Sequence, residues 1–577
     1  MRRFTLLLIV VACVSCVNEL ESIEMDNEME PTCLNDLLNL TDGVIIGQKL
    51  RNPYSIEVMK EACDLLYPPT RGETPASDTI IVPNVKYVRF LPADSTEFRL
   101  LMESGLELFN YPLDYEILGD PSDYRDPNVS PERITWQYAV MPIDQDMPAT
   151  ECSEILEIGF LPEFGVSDPD YDMVEIEHTA MGIVLDKFIN GPMDGLTPGG
   201  SSISGGTTSG GTTSGSTDSD EDRPEPTGRI LVKADGAEQS VRGIKVRAKY
   251  FYKIKVAYTE EDGSYYIDMR YFDGCNPRFE LRFHNRYNFD LGYGLDMIIP
   301  VTKNMKHEKN YTADKEESRK FWVACMVNNA AYDWYARCER EGMPTPPDNM
   351  YIWVMSAFSG ASCPMLNHGV LPTIDVEREG LWEVLFGADS NPFYCLNAYV
   401  LLEMIRPDIT ICNVDNDNEQ SLYRKVSHEL AHATHFTQLG SNDIARSLWW
   451  SYVFNYEVAC ILLSLFDDPY EHPSVPREER AGITEMWAHA VGYICKYEHR
   501  QRNVANYRDG SNGIYDEYWF APEILLDLYE RGMTLKQISD CMTEDVITFE
   551  DFRETLIVHN STYASRINYL FDNYLDD

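Results

Sequence analysis

The segment His428-Glu429-Leu430-Ala431-His432 constrains this chain more than any other feature. On a helix, residues i and i+4 leave the same face one turn apart, so His428 and His432 project side by side. Two neutral imidazoles at that spacing can hold one Zn²⁺ at about 2.0–2.1 Å. Glu429 lies one residue past the first of them. From there its carboxylate can take the proton of an attacking water instead of joining the ligands. The local sequence supplies the helix the motif needs. Asp417, with Gln420 three residues on, reads as an N-cap and capping box. Residues 419–438 contain neither Gly nor Pro, and Gly440 is placed to stop the helix. Leu422, Val426 and Leu430 give it an apolar stripe to bury.

The whole chain is too long for one domain. It has 577 residues, 44% of them hydrophobic, and a formal net charge of −46. That charge argues against nucleic acid as a partner and against a polybasic contact with anionic lipid. Met1-Arg2-Arg3, followed by the apolar run 4–12, reads as an export signal too short to span a membrane. It runs into Val14-Ser15-Cys16, where a small residue precedes a cysteine. This resembles a bacterial lipobox, which implies cleavage after residue 16's predecessor and a lipid on Cys16. Val10-Val11-Ala12-Cys13 fits the same pattern with a shorter apolar core. An acidic tether follows over 17–50 and includes Glu19, Glu21, Glu24 and Asp26. An acidic tract behind a lipidated cysteine resembles the surface-export signal of Bacteroidetes lipoproteins. It implies an exported chain held at the outer membrane. The cysteines after Cys16 form no Cys-x-x-Cys pair, so they carry no zinc-ribbon or redox motif.

Composition divides the remainder. Residues 51–195 read as an N-terminal α+β domain, with 85–90 alternating like a half-buried strand, a helix over 96–104 and a strand over 134–141. Residues 196–227 form a Gly/Ser/Thr linker with an acidic, Pro-containing end, unable to bury a core and dividing the chain into two modules. Residues 228–312 carry strand signals at 229–232, 244–248, 254–258 and 265–267. Their order of Gly228/Ile230, Gly243/Ile244/Val246/Ala248 and Thr259/Asp262/Gly263/Tyr265/Ile267 resembles the carboxypeptidase regulatory-like β-sandwich, an accessory module without chemistry. Residues 313–577 are mainly helical. Helices are expected over 318–340, 449–466, 483–497, 523–531, 535–542 and 549–558, with short strands at 351–355 and 409–412.

A catalytic zinc needs a third protein ligand and an open position. His435 and Gln438 stand where the metzincin pattern requires Gly and His, so that pattern fails. His435, three residues past His432, faces near the site without being the expected ligand. A glutamate on a later helix is the gluzincin solution, and two are available. Glu457 sits in Asn455-Tyr456-Glu457-Val458-Ala459. Glu485 sits in Glu485-Met486-Trp487-Ala488-His489, a Glu-x-Trp-Ala form that resembles the glutamate helix of many gluzincins. Glu485 also brings His489 along at i+4 on the same helix face, and is the expected ligand.

The resemblance to gluzincin zinc metallopeptidases implies a zincin-like α+β fold for 313–577. Zn²⁺ would be held by His428, His432 and Glu485, with Glu429 as general base. His489 or Tyr493 would be the oxyanion donor, and a protein or peptide the substrate. The strand at 409–412 would be the sheet edge that receives an extended substrate. The contrasting expectation is a surface protein that binds host protein or glycan on a zincin scaffold without turnover. The intact Glu429 favours the enzyme, since a scaffold has no need of a base. One prediction belongs to the leader. Cys16→Ala should release the chain from membranes or block its maturation; a substituted chain that stays membrane-bound and fully processed would move the anchor to Cys13 or remove it.

Overall fold

A computed structural model describes residues 45–190, 227–268, 277–294, 300–356, 361–368, 407–440, 479–499 and 519–575, apart from a few positions within the first stretch. The expected leader, the tether up to residue 44, the linker except Thr227, and the helix over 449–466 lie outside the described residues. The architecture is that of a multidomain α+β protein with several sheets and a helical C-terminal region. No helix among the described residues is long and apolar enough to cross a membrane.

The N-terminal unit contains β1 (Ile46–Lys49), α1 (Ile56–Leu66), α2 (Ser77–Ile80), β2 (Val85–Leu91), α3 (Ser95–Glu103), β3 (Tyr115–Ile117), β4 (Gln137–Pro142), β5 (Cys152–Gly159) and α4 (Met173–Asn190). Strand β2 is the centre of an antiparallel sheet ordered β4-β2-β5. It is buried on both faces rather than one. Val88 and Phe90 pack with Phe98 and Leu101 of α3, while Val85 and Tyr87 pack with Tyr252 from beyond the linker. The alternation at 85–90 therefore marks two covered faces, because a second unit docks on the side expected to meet water.

That second unit starts with β6 (Thr227–Ala234), β7 (Ala237–Ser240), β8 (Ile244–Tyr250), β9 (Lys253–Tyr258), β10 (Ser264–Tyr266), β11 (Arg278–Asn285), β12 (Phe289–Tyr293), β13 (Thr302–Lys306) and β14 (Tyr311–Ala313). It continues with α5 (Arg319–Glu341), β15 (Met350–Val354), β16 (Ala361–Ser362) and β17 (Ile409–Ile411). Strands β7, β10 and β14 join β6 in one small sheet, and the larger sheet runs β16-β17-β15-β12-β11-β8-β9, with β13 also on β11. The boundary expected at 312 falls inside β14, and the sheet continues across it because β12 pairs in parallel with β15. Without that partner β12 would present an unpaired row of backbone groups. One apolar core joins Ile230 and Val246 to Trp334, Leu430, Trp487 and Phe571. Strand β17 is not the sheet edge expected for it. Its outer side is taken by β16, antiparallel, with Ala361 opposite Ile411 and Ser362 opposite Thr410.

The helical part comprises α6 (Glu419–Gln438), α7 (Glu479–His499), α8 (Glu523–Glu530), α9 (Leu535–Ser539), α10 (Phe549–His559) and α11 (Ala564–Tyr574). Helix α6 occupies the run free of Gly and Pro, and Gly440 follows it at φ +83°. Its cap differs from expectation by one residue. Asn418 Oδ1 accepts from Ser421 N at 3.0 Å and Ser421 Oγ accepts from Asn418 N at 2.9 Å. The Asp417 carboxylate is engaged elsewhere, accepting from Lys425 Nζ at 2.8 Å. Helix α11 lies past the last expected element, and buries Ile567, Leu570 and Phe571 at helical spacing.

The N-terminal unit docks on the charged face of the larger sheet. On β8, Val246 and Ala248 face the core while Lys245, Arg247 and Lys249 face the other way. Arg247 donates to Glu280 at 2.7 Å and to the Leu108 carbonyl at 2.8 Å, Lys245 pairs with Glu107 at 2.8 Å, and Tyr111 bonds Glu280. The Lys245 and Arg247 cations hold the Glu107 carboxyl down at about 2 against the opposing effect of burial. Burial pushes Lys249, which lies over the Tyr111 ring at 4.6 Å, down to about 7. Removing one partner of a buried pair costs about 3–5 kcal/mol, because the other charge is left uncompensated. A chain nicked within 196–227 should therefore stay together on gel filtration, and Arg247→Met should let its halves separate. Co-elution of the nicked variant halves would show that the charged layer does not hold the docking.

Candidate metal centre

The centre lies where α6 and α7 pack face to face. Their approach is close because Gly492 has no side chain. A Cβ there would sit 2.9 Å from the Arg424 carbonyl oxygen and 3.2 Å from His428 Cβ. Trp487 fixes the register of the pair, its Nε1 donating to the Ala431 carbonyl at 3.1 Å. Trp334 of α5 supports the same turn, its Nε1 donating to Thr434 Oγ1 at 2.9 Å, and the two indoles meet edge-on at 6.5 Å.

This packing brings His428, His432 and Glu485 together, although Glu485 is remote in sequence. His428 Nε2 and His432 Nε2 are 3.1 Å apart. Glu485 Oε2 lies 3.5 Å from the first and Oε1 3.6 Å from the second. Ligands at about 2.0–2.1 Å around a tetrahedral ion stand roughly 3.3 Å from one another. The three spacings bracket that length, so the donor set fits a single small cation. Among the described residues this is the one group of three or more His, Cys, Asp or Glu side chains arranged to hold a metal ion.

The electrostatics suit the same role. All three side chains are buried. Burial pushes both imidazoles down to about 3, with the Arg424 cation adding to the effect at His428. Both rings are therefore neutral at neutral pH and offer lone pairs to a cation. Glu429 is wholly buried beside them, its Oε1 3.9 Å from His428 Nε2.

The other expected residues divide. His489 joins the centre. Its Nε2 is 3.7 Å from Glu485 Oε2, and its ring meets His428 edge-on at 4.6 Å and Phe520 at 5.1 Å. His435 does not join it; it is buried one turn farther along α6, with Nδ1 3.5 Å from Thr484 Oγ1. Tyr493 lies two turns past Glu485 on α7, with the Arg424 guanidinium 4.4 Å from its ring centre. Glu457 lies outside the described residues. Sequence reasoning did not single out Arg424, Trp334 or Phe520. Arg424 precedes His428 by the same four residues that separate His428 from His432, so its signal was present in the helical spacing. The two aromatic residues approach from separate elements and carry no local signal.

Comparison with protein families, with curated proteins and with solved structures finds no match to this chain.

Metal affinity tests the ligand set. Glu485→Ala should weaken binding, measured against a competing chelator, well beyond the 10–100-fold typical of residues that only support a ligand. Tyr493→Phe and Glu457→Ala should leave it nearly unchanged. A large loss in Glu457→Ala with none in Glu485→Ala would reverse the assignment.

Proposed function

We propose that this chain is a zinc-dependent peptidase of gluzincin type. The observation that carries the reading is the convergence of two neutral histidines and a glutamate, buried, with a second glutamate beside them. His428, His432 and Glu485 would hold Zn²⁺. When bound there, Zn²⁺ polarises a carbonyl and lowers the pKa of water toward about 7.

The chain's own groups supply the proton traffic. Glu429 accepts a proton from the water that attacks the scissile carbonyl carbon. The same carboxyl then returns the proton to the departing amine nitrogen, so the peptide bond breaks without releasing an unprotonated amide anion. His489, neutral and beside Glu485, would donate an N–H toward the oxygen that gains negative charge. Desolvation strengthens each of these interactions. In this reading residues 313–577 form a zincin-like unit, and residues 228–312 a regulatory-like β-sandwich that shares its core. An extended peptide would add to the larger sheet beside β16, the strand at that end. Lipidation at Cys16 would present the enzyme to peptides or proteins at the cell surface.

A binding protein without turnover would leave Glu429 with no task, since the three ligands alone can hold the ion. Glu429→Gln separates the two readings. It should keep near-stoichiometric zinc while peptide hydrolysis falls by about 10²–10⁴-fold, the usual contribution of a general base. Unchanged hydrolysis in that variant, or zinc content without hydrolysis in the unaltered chain, would overturn the proposal.

A further inference from the structure

A cavity of about 450 Å³ lies between the N-terminal unit and the larger sheet, away from the metal ligands. Its floor is the charged sheet face, with Lys245 of β8, Arg282 and His284 of β11 and Asp290 of β12; its wall is the end of α3 and the segment through Glu107. The volume falls in the range of small-molecule sites, about 300–1,000 Å³. Most of its charged groups already have partners. Lys245 pairs with Glu107 at 2.8 Å, and His284 Nδ1 with Asp290 Oδ1 at 3.0 Å. Arg282 differs. Among the described residues it has no hydrogen bond and no ion pair, although its guanidinium carries five donors. Burial and the neighbouring Arg247 cation press its pKa below the usual range, against the pull of the Asp290, Glu107 and Glu280 carboxylates.

We propose that the cavity binds a small polar molecule bearing a single carboxylate, with Arg282 as the anchor. A guanidinium with free donors matches a planar carboxylate through two parallel bonds. Glu107 and Asp290 flank the same space, so a doubly charged phosphate is repelled more strongly than a singly charged carboxylate. Asn288 and Asn349, whose side chains bond each other at 2.8 Å, line the remaining wall, and their remaining amide hydrogens and the Asn288 oxygen face the neutral part of the ligand. An acidic sugar and an N-acylated amino acid share this chemistry. Because α3 and the sheet both contribute to the lining, occupancy would also tie the two units together.

Calorimetric titration of the full chain tests the site with three probes: glucuronate, N-acetylglycine and inorganic phosphate. At least one carboxylate should bind at one equivalent, more tightly than phosphate. Arg282→Gln should weaken that binding by about 10–100-fold, the range for a lost charge-assisted hydrogen bond. Arg286→Gln, a nearby charge already paired with Glu260 at 3.1 Å, should not change it. His428→Ala should also leave it unchanged, which separates this cavity from the metal centre. Should Arg282→Gln fail to fold, the unaltered chain serves. Phenylglyoxal should modify Arg282, and the bound carboxylate should protect it, as read by peptide mass. Binding of neither carboxylate, tighter binding of phosphate, or equal binding by Arg282→Gln would overturn the proposal, as would modification of Arg282 that the bound probe does not slow.

Discussion

The contact between α6 and α7 sets the terms for the rest of the C-terminal unit. Five titratable side chains, His428, Glu429, His432, Glu485 and His489, are removed from water at one crossing. Burying so many polar groups is costly unless they are held against one another or a cation. Two features permit it. Gly492 lets the backbones approach, and the indoles of Trp334 and Trp487 spend their N–H groups on α6. The large rings fill the space around the crossing, so the polar groups sit in a rigid, low-dielectric setting. That setting keeps the imidazoles neutral, the state in which they can coordinate an ion.

The larger sheet serves the centre from a distance. Strand β17 leads into α6, and β15 carries the chain from α5 back beside β17. The same sheet extends through β12 and β11 to β8, so α6 and the strands after the linker rest on one framework with one core. The sheet uses its two faces differently. One is apolar and packs beneath α5. The other carries Lys245, Arg247, Lys249, Glu280 and Arg282, and is covered by the N-terminal unit. A charged layer between two units is a more conditional bond than a shared apolar core, because its desolvation offsets much of its attraction.

Local physics explains what was legible in the sequence. The span of α6 follows from a Gly- and Pro-free run and a glycine beyond it. The pairing of His428 with His432 follows from helical spacing alone. Strands at 229–232, 244–248 and 254–258 announced themselves by period two, and all lie within β6, β8 and β9. Where the reading failed, a distant group had intervened. Asp417 was a sound cap candidate until Lys425 claimed its carboxylate. The alternation at 85–90 suggested one wet face until Tyr252 covered it. The strand at 409–412 looked terminal until Ala361 and Ser362 paired with it.

The sequence by itself determined the helix over 419–438, its two histidines and the adjacent glutamate, because these depend on neighbours a few residues apart. It offered two glutamates as the partner of that pair and favoured Glu485 through its Glu-x-Trp-Ala context and His489 at i+4, although chain separation carries no information about spatial approach. Tertiary structure decided that Glu485 and His489 meet the motif, that Tyr493 lies under Arg424 instead, and that the sheet runs unbroken past residue 312. It also decided that the N-terminal unit covers a charged face and leaves a cavity around Arg282. Each of these results depends on two helices or two sheets meeting at a fixed distance, which packing volume sets and local propensity does not.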